Sequence, residues 1–219
     1  MKIQSLSFAV STEIGIVSAE LFTPESPICV MTFAHGAGAG MNHEFMVRIS
    51  KALAEKDIAT LRFNFPSMEK QKRRPDSPAV AHKTIEVAIN KAHEFFPSLP
   101  VFASGKSFGG RMSSQYLATQ RAADVKGIIF FGFPLHQLGK PSIERAEHLN
   151  SVGIPMLFLQ GTRDELASYN LIVQVCASLP LATLVTMEGA NHAFKAGKQD
   201  FISILTEATR SWINKKIKT

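Results

Sequence analysis

One short stretch of the chain places a serine between glycines, in the pattern Gly105-Lys106-Ser107-Phe108-Gly109. Glycines two residues before and after a serine leave room for a sharp turn between a strand and a helix. Such a turn lifts the hydroxyl above the sheet and puts the positive end of the helix beneath it, where developing negative charge is stabilised. Alone the pattern is weak, since a glycine-rich turn with an incidental serine also satisfies it. A phosphate-binding loop is excluded, because the glycine that it needs at position 100 is Pro100.

Two later residues have the types that a serine nucleophile requires. Asp164 follows the apolar run Ile154–Leu159, where a buried carboxylate can hold an imidazole in one tautomer. His192 is the only histidine after Asp164 and follows the run Ala182–Met187. Taken singly, the aspartate also fits a helix cap and the histidine a surface position, and Glu165 is a neighbouring alternative acid. The order serine, aspartate, histidine differs from the orders of the two main serine-protease folds and favours an acyl-transfer site.

A loop poor in side chains, His35-Gly36-Ala37-Gly38-Ala39-Gly40, follows the first buried apolar run. Such a loop lets the backbone approach a carbonyl group closely and present N–H groups to it. We expect the amide of Phe108 to be the first oxyanion donor, and that of Ala37, or else Gly36, to be the second. His35 precedes the serine, so we interpret it as a brace for the loop and not as the base.

The elements that must position these residues alternate between strands and helices. Two early runs, Ile3–Val10 and Ile14–Phe22, alternate apolar and polar residues, as half-exposed antiparallel strands do. The later runs are largely apolar, which suits parallel strands buried on both faces. These runs are Ile28–Ala34, Ile58–Phe65, Val101–Ala103, Gly127–Phe131, Ile154–Leu159 and Ala182–Met187.

Segments with helical spacing lie between the strand-like runs. They include Phe45 to Leu53, Ile85 to Phe96, Arg111 to Gln120 and Phe201 to Trp212. This alternation predicts one α/β domain over residues 1–219, a three-layer α/β/α sandwich with a mostly parallel sheet. Ligands bind at the carboxyl ends of the strands in such sheets, and the candidate residues all follow strands.

The composition of the chain limits the classes of function that it could have. The chain has 219 residues, of which 45% are apolar and 19% charged, as in ordinary globular domains. Lys and Arg outnumber Asp and Glu by 24 to 18, which favours anionic partners in general. The densest basic cluster, Lys70-Gln71-Lys72-Arg73-Arg74, is short, so we expect a solvated loop, with phosphate or carboxylate recognition as the alternative. Nucleic acid is not an expected partner.

Location and cofactors are inferred by elimination. The two cysteines, Cys29 and Cys176, lie in apolar stretches and suit a reducing compartment. The N-terminal segment has no apolar core of the signal-peptide type, and no run is long enough to span a membrane. We therefore expect a cytoplasmic protein. His43-Glu44 is the nearest approach to a metal-ligand pair, but its spacing matches no known site, so neither a metal nor a cofactor is predicted.

Several motifs together resemble the dienelactone-hydrolase-like α/β-hydrolases. More closely, they resemble a subgroup of small hydrolase-like proteins that includes a testis-expressed protein and a subunit of a histone-acetyltransferase complex. The resemblance implies an α/β-hydrolase fold and a Ser107, His192, Asp164 triad, but no substrate. Dienelactone hydrolase itself has a cysteine where this chain has Ser107, so esters or thioesters are expected instead of dienelactones. The matching segments are His35–Ala39, Leu61–Pro66, Arg73–Asp76, Gly105–Arg111, Phe133–His136, Gly139–Pro141, Gly161–Asp164 and Asn191–His192.

The size of the site follows from one connection. About twenty residues, Phe133 to Val152, separate the strand ending at Phe131 from the next, which leaves room for a short helix and not for a large lid. We expect a shallow or open site and a small ester or thioester. Basic residues near the site favour an anionic one, unless they are solvated or salt-bridged. The candidate substrate contacts are Gly36, Gly38, Lys106, Arg111 and Arg163, with Lys195 nearby in sequence.

The sequence therefore predicts a serine hydrolase that works through an acyl-enzyme. Two alternatives stay open at this stage. One is a catalytically silent interaction module that keeps the hydrolase fold, and the other is an acyltransferase that uses the same triad with an acceptor other than water.

Overall fold

The computed structural model describes residues 1–119 and 124–218 of the chain. Its main feature is an eight-stranded sheet with the order β1-β2-β4-β3-β5-β6-β7-β8. The strands are β1 (Lys2–Ser11), β2 (Gly15–Thr23), β3 (Cys29–Ala34), β4 (Ile58–Phe63), β5 (Val101–Lys106), β6 (Val125–Phe131), β7 (Met156–Gly161) and β8 (Ala182–Met187). A separate two-stranded hairpin contains β9 (Lys195–Ala196) and β10 (Gln199–Asp200).

The sheet is mostly parallel, as predicted. Strand β1 pairs antiparallel with β2, and β2 pairs antiparallel with β4. Every other neighbouring pair in the large sheet is parallel. The side chains of β3, β4 and β7 are buried along their whole length, which explains why their sequences are largely apolar and do not alternate.

Helices cover both faces of the sheet and complete three layers. The described helices are α1 (Glu44–Ala54), α2 (Pro66–Glu69), α3 (Pro78–Phe95), α4 (Phe108–Thr119), α5 (Tyr169–Ser178) and α6 (Ile202–Ile217), with a 3₁₀ helix at Glu144–Ser151. Helices α1 and α6 pack on one face through a core that includes Ile49, Leu53, Leu205 and Trp212. Helices α3, α4 and α5 share the core of the other face.

The order of strands reverses at the centre of the sheet. After β3 the chain passes through α1 to β4 on one side, and it then crosses to β5 on the other side of β3. Because α1 and α4 lie on opposite faces, the ends of β3 and β5 border an open crevice. This is the position where ligands bind in open α/β sheets.

The boundaries of some elements differ from the sequence prediction. Helix α4 begins at Phe108 and not at Arg111, because glycines in its first turn let it start against the sheet. Its predicted end, Gln120, lies outside the described residues. Strand β4 ends at Phe63 and not at Phe65, whose N–H is taken by the ring of His35. The connection before β7 holds only the 3₁₀ helix, so no large lid is inserted there.

Other predictions can be compared directly with the structure. The basic cluster from Lys70 to Arg74 is exposed, as expected for a solvated loop. Cys29 and Cys176 are free and buried, and burial raises the pKa of each thiol to about 12. Among the described residues, no helix has the length and apolar character required to cross a bilayer.

Two neighbouring residues of α6 test the packing of this helix. Leu205 is fully buried against the sheet, whereas Ile204 is 45% exposed. We expect Leu205→Ala to lower the free energy of unfolding by about 2–5 kcal/mol, because it leaves a cavity. The matched change Ile204→Ala is expected to alter it by about 0.5 kcal/mol or less. Urea denaturation measures both, and equal losses would contradict the packing of α6.

Candidate active site

The nucleophile candidate lies on a tight turn between β5 and α4. Ser107 has a φ of +51°, a left-handed conformation that is uncommon for a residue with a side chain. Its N–H donates to Phe131 O over 3.3 Å, and its carbonyl accepts the N–H of Arg111 over 3.1 Å. The surrounding backbone therefore holds a strained conformation, as functional sites often do.

The turn is possible because three glycines remove side chains at backbone contacts. A Cβ on Gly105 would lie 2.2 Å from the nitrogen of Gly110. A Cβ on Gly109 would lie 2.4 Å from the carbonyl oxygen of Ala34, at the end of β3. Strand β5, the first turn of α4 and the end of β3 are thus in direct backbone contact.

The structure brings the three predicted residues into one hydrogen-bonded chain. His192 Nε2 lies 2.8 Å from Ser107 Oγ, and His192 Nδ1 lies 2.7 Å from Asp164 Oδ2. An ionised carboxylate only accepts hydrogen bonds, so Nδ1 carries the ring proton and Nε2 is free to accept the serine proton. This is the arrangement required to activate a serine hydroxyl.

Asp164 is held by partners that sequence reasoning missed. Its carboxylate is buried and accepts hydrogen bonds from Gln160 Nε2 over 2.6 Å and from the N–H of Leu166 over 2.8 Å. Gln160 in turn accepts the N–H of Phe133 over 2.9 Å. The available signal was a glutamine in an otherwise apolar strand, since a buried amide must find polar partners.

His35 braces the small-residue loop, as the sequence order suggested. Its Nε2 accepts the N–H of Phe65 over 2.9 Å, so its Nδ1 must carry the proton and donate to Gly36 O over 2.7 Å. Burial lowers the pKa of His35 below its usual value, which keeps the ring neutral and both bonds intact.

A second brace lies under the far end of this loop. The fully buried Arg62 donates to the carbonyl oxygen of Met41 and pairs with Glu20. Asn64 Oδ1 accepts the N–H of Met41 over 2.8 Å, and Asn64 Nδ2 donates to Glu69 over 2.9 Å. The loop is therefore fixed from below by side chains of β4 and of the turn after it.

A cleft of about 810 Å³ opens at the serine. It lies between the start of α1, the β9–β10 hairpin and the start of α6. Gly36, Ala37, Lys106, Ser107 and His192 all line it. The hairpin and α1 are joined across one side of the cleft by an ion pair between Arg48 and Asp200. The site is open, but this short hairpin, which the sequence did not reveal, gives it a wall.

Three predicted substrate contacts do not line the cleft. Gly38 has a φ of +71°, and a Cβ placed on it would have no atom within 4 Å, so this residue faces open space outside the cleft. Arg111 interacts electrostatically with Arg145 and His148, and burial together with the charge of Arg145 lowers its pKa. The side chain of Arg163 is exposed, while its N–H donates to Ala190 O over 2.9 Å.

The oxyanion candidates border the serine. Phe108 is the first residue of α4, so its N–H has no acceptor one turn earlier in the helix. Gly36 lies beside the turn, since a Cβ on it would be in van der Waals contact with the Cβ of Ser107, at 3.7 Å. Ala37 follows directly and lines the cleft. Within residues 1–119 and 124–218, no group of three or more His, Cys, Asp or Glu residues is arranged to hold a metal ion.

Comparison with known proteins identifies the family to which the fold belongs. A family model described as "Alpha/beta hydrolase domain" matches residues 27–213. The chain belongs to the α/β-hydrolases. The fold predicted from the sequence is therefore confirmed, whereas membership of the testis-expressed subgroup stays a proposal.

Individual relatives of this α/β-hydrolase are distant. It is 28% identical over 184 residues to "Putative phosphoribosyl transferase" of Mycobacterium tuberculosis (strain CDC 1551 / Oshkosh). The match covers 82% of this chain and only 40% of that protein, so the chain spans less than half the length of this relative. A solved esterase domain from Rhodothermus marinus superposes with a TM-score of 0.75 at 17% identity, covering 98% and 99% of the two chains. Dienelactone hydrolase from Anabaena variabilis gives 0.76 at 16% identity, with the same coverages. At these identities the structures show a shared fold.

Replacing one glycine tests the turn. Gly105→Ala is expected to lower the free energy of unfolding by at least about 2 kcal/mol, because its Cβ would overlap the backbone of α4. Gly153 has no atom within 4 Å of a Cβ position, so Gly153→Ala is a matched control expected to change stability by about 1 kcal/mol or less. Thermal unfolding measures the stability of both variants. A Gly105→Ala protein as stable as Gly153→Ala would contradict the backbone contact.

Proposed function

We propose that this α/β-hydrolase is a serine hydrolase, a single catalytic domain that cleaves a small ester or thioester. The hydrogen-bonded chain from Ser107 through His192 to the buried Asp164, at 2.8 and 2.7 Å, carries the proposal. Its place at the switch point of the sheet and the presence of esterases among proteins of the same fold also support it.

The proposed reaction has two acyl-transfer steps. Ser107 Oγ attacks the carbonyl carbon while His192 Nε2 takes the hydroxyl proton, and Asp164 stabilises the imidazolium without taking a proton. The amides of Phe108 and Ala37 bind the oxyanion. His192 then returns the proton to the leaving oxygen or sulfur, which departs and leaves an acyl-serine. Water, activated by the same histidine, releases the acid and restores Ser107.

The walls of the cleft support a small substrate with apolar parts. Phe45 and Phe194 stack with their ring centroids 5.7 Å apart, and both line the cleft beside Ser107. Phe201 contributes a third aromatic ring. No lid is inserted before β7 to enclose a long acyl chain, so short acyl groups fit the site best.

The observations support the alternative functions less well. A silent interaction module does not require three matched residues on three separate loops, nor the buried Gln160 that orients Asp164. An acyltransferase would use the same first step, and only the acceptor would differ. Phosphoribosyl transfer is named for a relative of which this chain spans 40%, so the name is not carried over to this chain.

A fluorophosphonate probe tests the nucleophile. We expect the wild-type protein to be labelled, because the probe reacts with an activated serine, and Ser107→Ala to remain unlabelled. Ser203→Ala removes an exposed serine of α6 and is the matched control, expected to label like the wild type. In-gel fluorescence and intact mass measure the label. An unlabelled wild type, or a labelled Ser107→Ala variant, would refute the assignment.

We also propose a preference for anionic substrates. Lys195 and Lys198 line the cleft on the side of the hairpin, whereas Arg48 is paired with two carboxylates, Asp200 and Glu44, and that group carries one net negative charge. Within the part of the chain that the structure describes, neither lysine forms a salt bridge, so their two charges exceed the one net negative charge of the Arg48 group and would attract an anion and raise its rate of encounter.

Matched substrates test this preference. A p-nitrophenyl ester whose acyl chain ends in a carboxylate is expected to show a kcat/KM about 10-fold above that of a methyl-terminated ester of equal length at low salt. About 0.5 M NaCl should reduce the ratio, because salt screens exposed charges. The double variant Lys195→Met/Lys198→Met should bring the ratio towards one. Equal kcat/KM values for the two esters, independent of salt, would rule out the preference.

A further inference from the structure

His192 must reach Ser107 from a distant strand. It follows β8, while Ser107 follows β5, and β6 and β7 lie between them. Three strand spacings separate β5 from β8, about 14 Å. The loop after β8 therefore folds back over the ends of two strands. Glycines leave space for it, since a Cβ on Gly161 would lie 2.2 Å from Ala190 O and one on Gly132 would lie 3.5 Å from the His192 ring.

Two charged side chains bind the main chain of His192 at the end of this path. Its N–H donates to Glu165 Oε2 over 3.3 Å. Its carbonyl oxygen accepts a hydrogen bond from Lys106 Nζ over 2.7 Å. Both bonds involve a charged group, and the lysine contact is the firmer of the two because it is shorter, at 2.7 Å against 3.3 Å.

Lys106 directly precedes Ser107, so its side chain links the nucleophile turn to the histidine loop. Its ammonium lies over the rings of Phe194 and Phe45, 5.2 and 5.8 Å from their centroids. A Cβ on Gly132 would come within 3.1 Å of Nζ, so this glycine makes room for the ammonium. The packing holds the lysine in one direction, towards His192.

The charge of Lys106 is not cancelled by a contacting carboxylate among residues 1–119 and 124–218. The ionisable groups that face it are Asp164 and Glu165 from the loop after β7, together with His192, while α1 presents the uncharged Phe45. Burial lowers the pKa of Lys106 to about 8, against the opposing effect of the two carboxylates. The side chain is thus charged at neutral pH and loses its proton in mildly alkaline solution.

We propose that Lys106 is a positioning residue, which fixes the His192 loop over Ser107 through its bond to the His192 carbonyl oxygen. The proposal rests on the proposed serine hydrolase function. Proton transfer from the serine requires the imidazole at hydrogen-bond distance, and a displacement of about 1 Å can cost a factor of about 100 in rate. The lysine acts through the histidine and not on the substrate.

Steady-state hydrolysis of p-nitrophenyl acetate, a small neutral ester, tests the role. Lys106→Met is expected to lower kcat about 10- to 100-fold with KM little changed, because binding is kept while the base is displaced. The rate of fluorophosphonate labelling should fall by a similar factor. Lys106→Arg should restore most of both, since it keeps the charge and the donor.

Lys70→Met is the matched control. Lys70 also donates to a backbone carbonyl, that of Ile14 over 3.1 Å, but it lies in an exposed segment away from the triad. Its loss is expected to leave kcat and labelling unchanged. Unchanged kcat in a folded Lys106→Met protein would overturn the proposal, and so would a raised KM at constant kcat, which would indicate a substrate contact. A wild type that neither labels nor hydrolyses esters would instead refute the proposed function.

The pH profile gives a second readout that does not depend on the folding of Lys106→Met. A lysine is charged below its pKa, so the bond to His192 is charge-assisted at pH 7 and loses that assistance above about pH 8. The kcat/KM of the wild type should therefore fall above about pH 8. Lys106→Arg, which stays charged, should keep its rate to higher pH. A wild-type profile that stays flat through that range, or one that falls equally in Lys106→Arg, would contradict the role of the charge.

Discussion

The candidate site depends on a backbone contact that only glycine permits. The first turn of α4 lies against the carbonyl oxygens at the end of β3, with Gly109 at the closest point. Phe108, the first residue of α4, and the loop of Gly36 and Ala37 both lie next to Ser107. If α4 stood further away, the serine would still be exposed, but the two amides could not face one carbonyl oxygen. Ser107 has its positive φ on this same turn, so the strained serine and the proposed oxyanion site belong to one tightly packed piece of backbone.

Asp164 and His192 are held in a different way, by hydrogen bonds from side chains to the Asp164 carboxylate and to the main chain of His192. Asp164 leaves β7 directly and is kept in place by Gln160 from the same strand. His192 has a longer path from β8, and side chains bind both polar groups of its main chain. A rigid serine turn is thus combined with a base loop whose position depends on a few charged contacts. We therefore expect this loop to be the part of the site that responds most readily to pH and to mutation.

Sequence reasoning could find what is encoded locally. The glycines around Ser107, the apolar runs before Asp164 and His192, and their order along the chain are visible without a structure, and the fold follows from the alternation of strands and helices. Gln160, Arg62 and Lys106 were harder to interpret, because the partners that define their roles are distant in sequence: Arg62 pairs with Glu20, and Lys106 with the carbonyl of His192. The β9–β10 hairpin was missed since strands of two residues have no periodicity to detect.

The difference between buried and exposed contacts also bears on the substrate. The glycine turn and the bracing of the loops depend on buried contacts that tolerate little change, so they fix the chemistry in the proposed mechanism. The cleft walls are built from the start of α1 and the β9–β10 hairpin, which an exposed ion pair joins, and exposed ion pairs contribute little to stability. Changes in these walls would therefore cost the fold little while altering what the cleft accepts. For this reason the reaction type can be argued from the buried residues of the chain, whereas the substrate must be sought from the charges and rings of the hairpin and α1.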